Sequence, residues 1–271
     1  MSLSSIRKFE GIKHSFLIGL CAIAVVAFPL VLSLVNRGAG VLPSAFVSDR
    51  KQEVQVVSHT YTTTFPIIEA PISEGGNWTN GKAVGLNWAD VRTTPGLAFG
   101  TESGNNGYDD SAALLTGNWG PDQTAEAAVH TVNQNDNIYE EVELRLRSTL
   151  SARSATGYEI NFRCSKTANA YTQIVRWNGP LGNFTYIAAK QGRQYGVANG
   201  DVVKATIKGH VITAYINGVQ VLQATDKKFT TGSPGIGFFL QKAAGVNNDF
   251  GFTRFTASDS PAPSPLSDIV H

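Results

Sequence analysis

Val211-Ile212-Thr213-Ala214-Tyr215-Ile216, then Asn217-Gly218, then Val219-Gln220-Val221-Leu222, is the stretch from which the fold follows. Its two β-prone runs flank an Asn-Gly pair, and both turn residues tolerate the positive φ of a two-residue type I′ turn. A β-hairpin is expected here. Lys208-Gly209-His210 joins it to a preceding strand over residues 202–207, which makes a three-strand meander. The same rhythm spreads in both directions. Runs at 125–132, 139–147, 157–164, 171–177, 184–188, 235–241 and 250–255 alternate apolar with polar residues, separated by Gly, Asn and Pro clusters. Alternation with turn signals about every ten residues marks an all-β sandwich or barrel. No helical period is sustained from residue 65 to 257, so helical bundles are excluded.

Composition narrows the function classes. The 271 residues carry 22 Lys and Arg against 21 Asp and Glu, a formal net charge of +1. No long-range field then draws nucleic acid, and no nucleic-acid partner is expected. Hydrophobic residues at 42% supply a core that a disordered chain would lack. Only Cys21 and Cys164 are present, so a disulfide-dense scaffold is ruled out. Cys164 shares its strand parity with Tyr158, Ile160 and Phe162, which makes it a buried core thiol rather than a nucleophile.

Near the N-terminus, residues 15–35 read SFLIGLCAIAVVAFPLVLSLV, 21 residues without a charge. As a helix this run would span about 32 Å, enough to cross a bilayer core. Arg7, Lys8 and Lys13 precede it, so the positive-inside rule keeps residues 1–13 cytoplasmic and sends the rest across. An uncleaved anchor over 14–36 is the expectation, because a signal-peptide core is usually only about 7 to 15 residues long. Cleavage would make the protein secreted instead. Residues 37–64 read as a spacer with a first strand at 54–57, residues 65–258 as the sandwich, and the Pro- and Ser-rich residues 259–271 as a disordered tail.

The order of segments GYEINFRC, AYTQIVRWNG, FTYIA, GDVVKATIKG, HVITAYINGVQVLQATD, GSPGIGFFLQ and DFGFTRFTASD resembles the concanavalin A-like lectin and glucanase superfamily, including its laminin G-like branch. Asn77-Trp78-Thr79 looks like the Trp-containing first strand of bacterial members. The resemblance spans residues 65 to 258 and implies a two-sheet antiparallel jelly-roll sandwich, here preceded by one N-terminal transmembrane helix. It transfers no ligand, since such folds host lectins, glycosidases and adhesive modules.

Three constellations follow from that resemblance and from the residues themselves. Tyr139-Glu140-Glu141-Val142-Glu143-Leu144-Arg145-Leu146-Arg147 puts Glu141, Glu143, Arg145 and Arg147 on one strand face. It is similar to the carboxylate strand of laminarinase-type glycosidases, which makes Glu141 and Glu143 the alternative catalytic residues. Arg145 stands where the acid should be, and an adjacent Arg would lower a carboxyl pKa, so a solvated, ion-paired face without catalysis is expected. Sugar recognition needs flat aromatic surfaces and planar polar partners. Trp119, Trp177, Asn178, Tyr186 and Arg163 are the carbohydrate-binding candidates, with both Trp expected at exposed turns. No cofactor is called for, although the resemblance admits calcium, for which Asp109, Asp110 and Asp249 are the available oxygen ligands.

The expected function is a membrane-anchored module outside the cytoplasm that binds carbohydrate or another envelope component without catalysis. A glycoside hydrolase of the same fold and a structural or protein-adhesion module are the alternatives.

Overall fold

The computed structural model describes residues 58–105, 110–242 and 247–260. In chain order the strands begin with β1 (Thr60–Thr63), β2 (Trp78–Asn80), β3 (Arg92–Thr94), β4 (Leu97–Phe99) and β5 (Ser111–Leu115). Five more follow as β6 (Asp122–Thr131), β7 (Tyr139–Ser151), β8 (Ser154–Arg163), β9 (Tyr171–Gly179) and β10 (Phe184–Gln191). The last are β11 (Val202–Lys208), β12 (Val211–Ile216), β13 (Val219–Thr225), β14 (Ser233–Gln241) and β15 (Phe250–Ser260). They form two antiparallel sheets. One runs β13-β12-β11-β6-β15-β4-β3 with β1 added on β15, and the other runs β10-β9-β8-β7-β14-β5-β2. Among the described residues the only helical turns are three short 3-10 segments.

Every run expected from residue 125 onward is a strand, from β6 to β15. The hairpin is present as read: Ile216 pairs with Val219, and Asn217 and Gly218 take φ of 51° and 79°. Lacking a Cβ, Gly218 takes that conformation without strain. The region before residue 120 was less legible. Its strands are short, and β1 lies inside the stretch read as a spacer, while residues 54–57 fall outside the described residues. At the other end β15 continues past residue 258, and its Asp259 is buried.

Alternation sorts each long strand into an inward and an outward row. Val142, Leu144 and Leu146 of β7 belong to one buried cluster with Phe250, Phe252 and Phe255 of β15, between the sheets. Full burial of such side chains contributes about 1.5–3 kcal/mol each, and Cys164 belongs to the same cluster. Its thiol is free, with its pKa pushed up by burial, as a core thiol should be.

One row breaks its parity. Leu146 pairs with Tyr158, but the next pair is Thr149 with Thr156, so Arg147 and Ser148 form a bulge opposite Gly157. Arg147, at φ 46°, therefore leaves the face it was expected to share with Glu143 and Arg145. Its guanidinium donates to the carbonyls of Pro121, Phe229 and Gly209 at 2.6, 3.0 and 2.8 Å. Gly209 sits in the β11–β12 turn, so this residue ties one sheet to the other.

Among the described residues no helix is long and apolar enough to cross a membrane. The run at residues 15–35 lies outside them.

Candidate functional site

The outer face of the second sheet carries the chemistry. Register places Glu141 beside Arg163, Glu143 beside Asn161, and Arg145 beside Glu159 across β7 and β8. On β9 the next positions outward are Gln173 beside Asn161 and Val175 beside Glu159. The β2–β3 connection lies over part of this face. Its Leu86 and Trp88 pack with Ala112, Ala155, Val175 and Trp177 in a second buried cluster, outside the inter-sheet core.

That cover overturns the expectation of a solvated charged face. Glu143 is 1% exposed and Arg145 2% exposed. The Arg145 Nη2 lies 2.5 Å from Glu143, 2.6 Å from Glu159 and 3.3 Å from Asp110, while its guanidinium stacks 4.9 Å from the Trp88 ring. Gly237 of β14 makes room for this group, because a Cβ there would stand 2.2 Å from Glu143 Oε2 and 2.9 Å from Arg145 Nε.

The expected lowering of carboxyl pKa by Arg145 is also corrected. Burial, followed by the Glu159 charge, pushes Asp110 and Glu143 well above the usual carboxylate range, and Arg145 offsets this only in part. Arg145 itself is held firmly protonated: burial opposes its charge, but Glu159, Glu143 and Asp110 outweigh it. Glu141 is pushed up to about 7, chiefly by burial, against the lowering effect of the Tyr171 hydroxyl that donates to it. Removing water is the dominant effect at all three carboxyls.

A cavity of about 160 Å³ opens here, lined on its polar side by Glu141, Glu143, Glu159, Asn161 and Gln173. Its apolar wall is Trp177, Phe184, Tyr186 and Phe239. Tyr186 is 58% exposed at the rim, and its ring meets Phe184 edge-on at 5.3 Å. Trp177 is 4% exposed rather than projecting from a turn. It is clamped by Trp88 at 4.8 Å and Phe184 at 5.1 Å, with Nε1 donating to Glu159 at 2.5 Å.

The other candidates fall elsewhere. Trp119 lines a separate groove with Thr79, Asn118, Thr149 and Ser233. It is half-buried, and its Nε1 donates to the Thr116 carbonyl at 3.0 Å. Asn178 spends its amide on Asn183 and Thr185 and accepts from Arg176 at the β9–β10 turn. Arg163 is buried 4.0 Å from the Tyr139 ring and donates to the Ile138 and Asp136 carbonyls, so it braces the neighbouring loop. Sequence reasoning missed Glu159, Asn161 and Gln173. Alternation in residues 157–164 already placed Glu159 and Asn161 opposite Tyr158, Ile160 and Phe162, but their partners needed the register.

Asp110, Glu143 and Glu159 bring carboxyl oxygens within 4.8 Å of one another. They do not fit calcium, because the Arg145 guanidinium already stands among them as the cation. Asp249 lies apart in the 3-10 turn Asn247–Asp249, and Asp109 is outside the described residues.

No protein-family model matches this chain, and no curated protein matches it. Among solved structures, the carbohydrate binding module CBM66 from Bacillus subtilis is 20% identical with a TM-score of 0.46, over 64% of this chain and 97% of that one. The VIP36 exoplasmic/lumenal domain, in a form bound to Ca2+ and Man3GlcNAc, is 10% identical with a TM-score of 0.49, over 76% and 90%. A β-agarase A in complex with oligoagarose is 10% identical with a TM-score of 0.45, over 74% and 92%. At these values the likenesses assign no ligand and no activity to this chain.

Proposed function

We propose that this protein is a non-catalytic carbohydrate-binding module of concanavalin A-like type, held outside the cytoplasm by an uncleaved span at residues 15–35. One observation carries the binding reading: a single cavity with aromatic residues on one side and carboxyl and amide groups on the other. Sugar rings present C–H faces that stack on aromatics and hydroxyls that pair with planar polar groups, so this division of surfaces suits them. Support for the anchor comes from the length of the apolar run and the basic residues before it.

Against catalysis stands the state of the carboxyls. Retaining hydrolysis needs an acid and a free carboxylate nucleophile about 5–5.5 Å apart. Glu141 has the raised pKa of a general acid, but Glu143 is closed in under Arg145. Native electrophoresis of the full-length protein through gels cast with different polysaccharides tests the reading. Retardation by at least one polysaccharide without clearing is the expected result. Clearing of the polysaccharide that Glu141→Gln abolishes would make the protein a hydrolase, and no retardation across a broad panel would overturn carbohydrate binding.

A further inference from the structure

The polar side of the cavity presents carboxyl groups together with the Asn161 and Gln173 amides. Asp110, Glu141, Glu143 and Glu159 place four carboxyl groups on its lining. Asn161, only 6% exposed, adds a side-chain Oδ1 with no hydrogen-bond partner. Several donors around the cavity are already committed to those carboxyls: the Tyr171 hydroxyl and the Asn161 amide to Glu141, the Trp177 indole to Glu159, and the Arg145 Nη2 to Glu143 and Asp110. Burial holds Asp110 and Glu143 toward their neutral forms, Arg145 lies 2.6 Å from Glu159, and Glu141 has no cation on the cavity lining. Arg163, beside Glu141 in the register, favours its ionised form but does not line the cavity, and Glu102 disfavours the ionised form of Asp110.

Resting on the carbohydrate reading above, we propose that the cavity selects a sugar bearing a free primary amine, whose ammonium sits against the Glu141 carboxyl and the Asn161 Oδ1. An ammonium offers three donors and no acceptor, which suits the Glu141 carboxylate and the unpartnered Asn161 Oδ1. It also supplies a positive charge beside Glu141, which no cation on the cavity lining neutralises. N-acetylation removes both the charge and two of the donors, and a uronic acid brings a carboxylate that these walls repel. Because the cation favours the ionised form of Glu141, its entry drives the Glu141 proton into solvent near neutral pH.

Titration calorimetry on the full-length protein at about pH 7, in phosphate and again in HEPES, separates the possibilities, with the proton linkage read from the buffer dependence. The ligands are short oligomers of glucosamine, N-acetylglucosamine and galacturonic acid. Glucosamine oligomers are expected to bind at least about tenfold tighter than the N-acetylated ones. Their apparent enthalpy should differ between buffers by the heat of a released proton, and Glu141→Gln should remove that difference while lowering the affinity. Equal or tighter binding of the N-acetylated or uronic oligomer would overturn the amine preference and leave the carbohydrate reading standing. Glucosamine binding with no buffer dependence would overturn the role of Glu141. If none of the three binds and no polysaccharide retards the protein in gels, the carbohydrate reading fails, and the amine preference with it.

Discussion

Glu141 stores a pH dependence in a single carboxyl. Its pKa is about 7 in the folded protein, raised chiefly by burial, whereas an unfolded Glu titrates at about 4.3. Between these values the folded chain holds more protons than the unfolded one, so stability falls as pH rises through that window and levels off above it. The effect has an upper bound of about 4 kcal/mol. Glu141→Gln should therefore raise stability at pH 8 relative to pH 5, flattening the wild-type slope in urea denaturation; a steeper slope would contradict the burial argument. Asp259 works in the opposite sense. Against the raising effect of burial, bonds from the Gly120 and His59 amides and the His59 ring hold its carboxyl below the usual range. Asp259→Ala leaves two amide donors and an imidazole without their acceptor, and a loss of about 2–4 kcal/mol is expected by the same measurement. Neither carboxyl's state was readable from the chain: Glu141 stood in an evident alternating row, but the Tyr171 hydroxyl that meets it and the Phe239 paired beside it come from other strands. Asp259 had the composition of a disordered tail, and its partners lie 139 and 200 residues away.

Strands and turns were the legible part. Asn217-Gly218 announces its turn because positive φ at two consecutive residues is a local requirement, satisfied without help from the rest of the fold. Gly218→Ala should cost about 1 kcal/mol through left-handed backbone strain and leave ligand affinity unchanged, as read by thermal melting beside calorimetry. Alternation identified the inward row Val142, Leu144 and Leu146 for the same reason, that a strand has a period of two. It failed at Arg147, where a bulge inserts an extra residue and reverses the parity. Nothing local in the sequence forces that bulge; three carbonyls from distant turns reward it. Gly237 is an element-scale feature of the site. Replacing it by Ala would drive a methyl against the Glu143 carboxyl and the Arg145 guanidinium, so Gly237→Ala should lower the melting temperature and weaken carbohydrate binding together, whereas Gly218→Ala affects only the first.

At the scale of the whole molecule, the two sheets divide their labour. The inter-sheet core supplies stability through phenylalanine and aliphatic rows, while the outer face of the second sheet, half roofed by the β2–β3 connection, supplies a cavity. Roofing is what turns an ordinary charged strand face into a desolvated cluster with Arg145 at its centre. It also explains why composition and net charge were silent about the site, since +1 overall is compatible with a local excess of buried acid. The central claim is that carbohydrate binds in this cavity against Tyr186 and Gln173, both partly exposed on its lining. Titration calorimetry with an oligosaccharide that retards the wild-type protein, repeated on Tyr186→Ala and Gln173→Ala, tests it most directly. The account predicts at least about tenfold weaker binding for each variant at an unchanged melting temperature. Wild-type affinity in both variants would contradict it and move the binding surface elsewhere on the molecule.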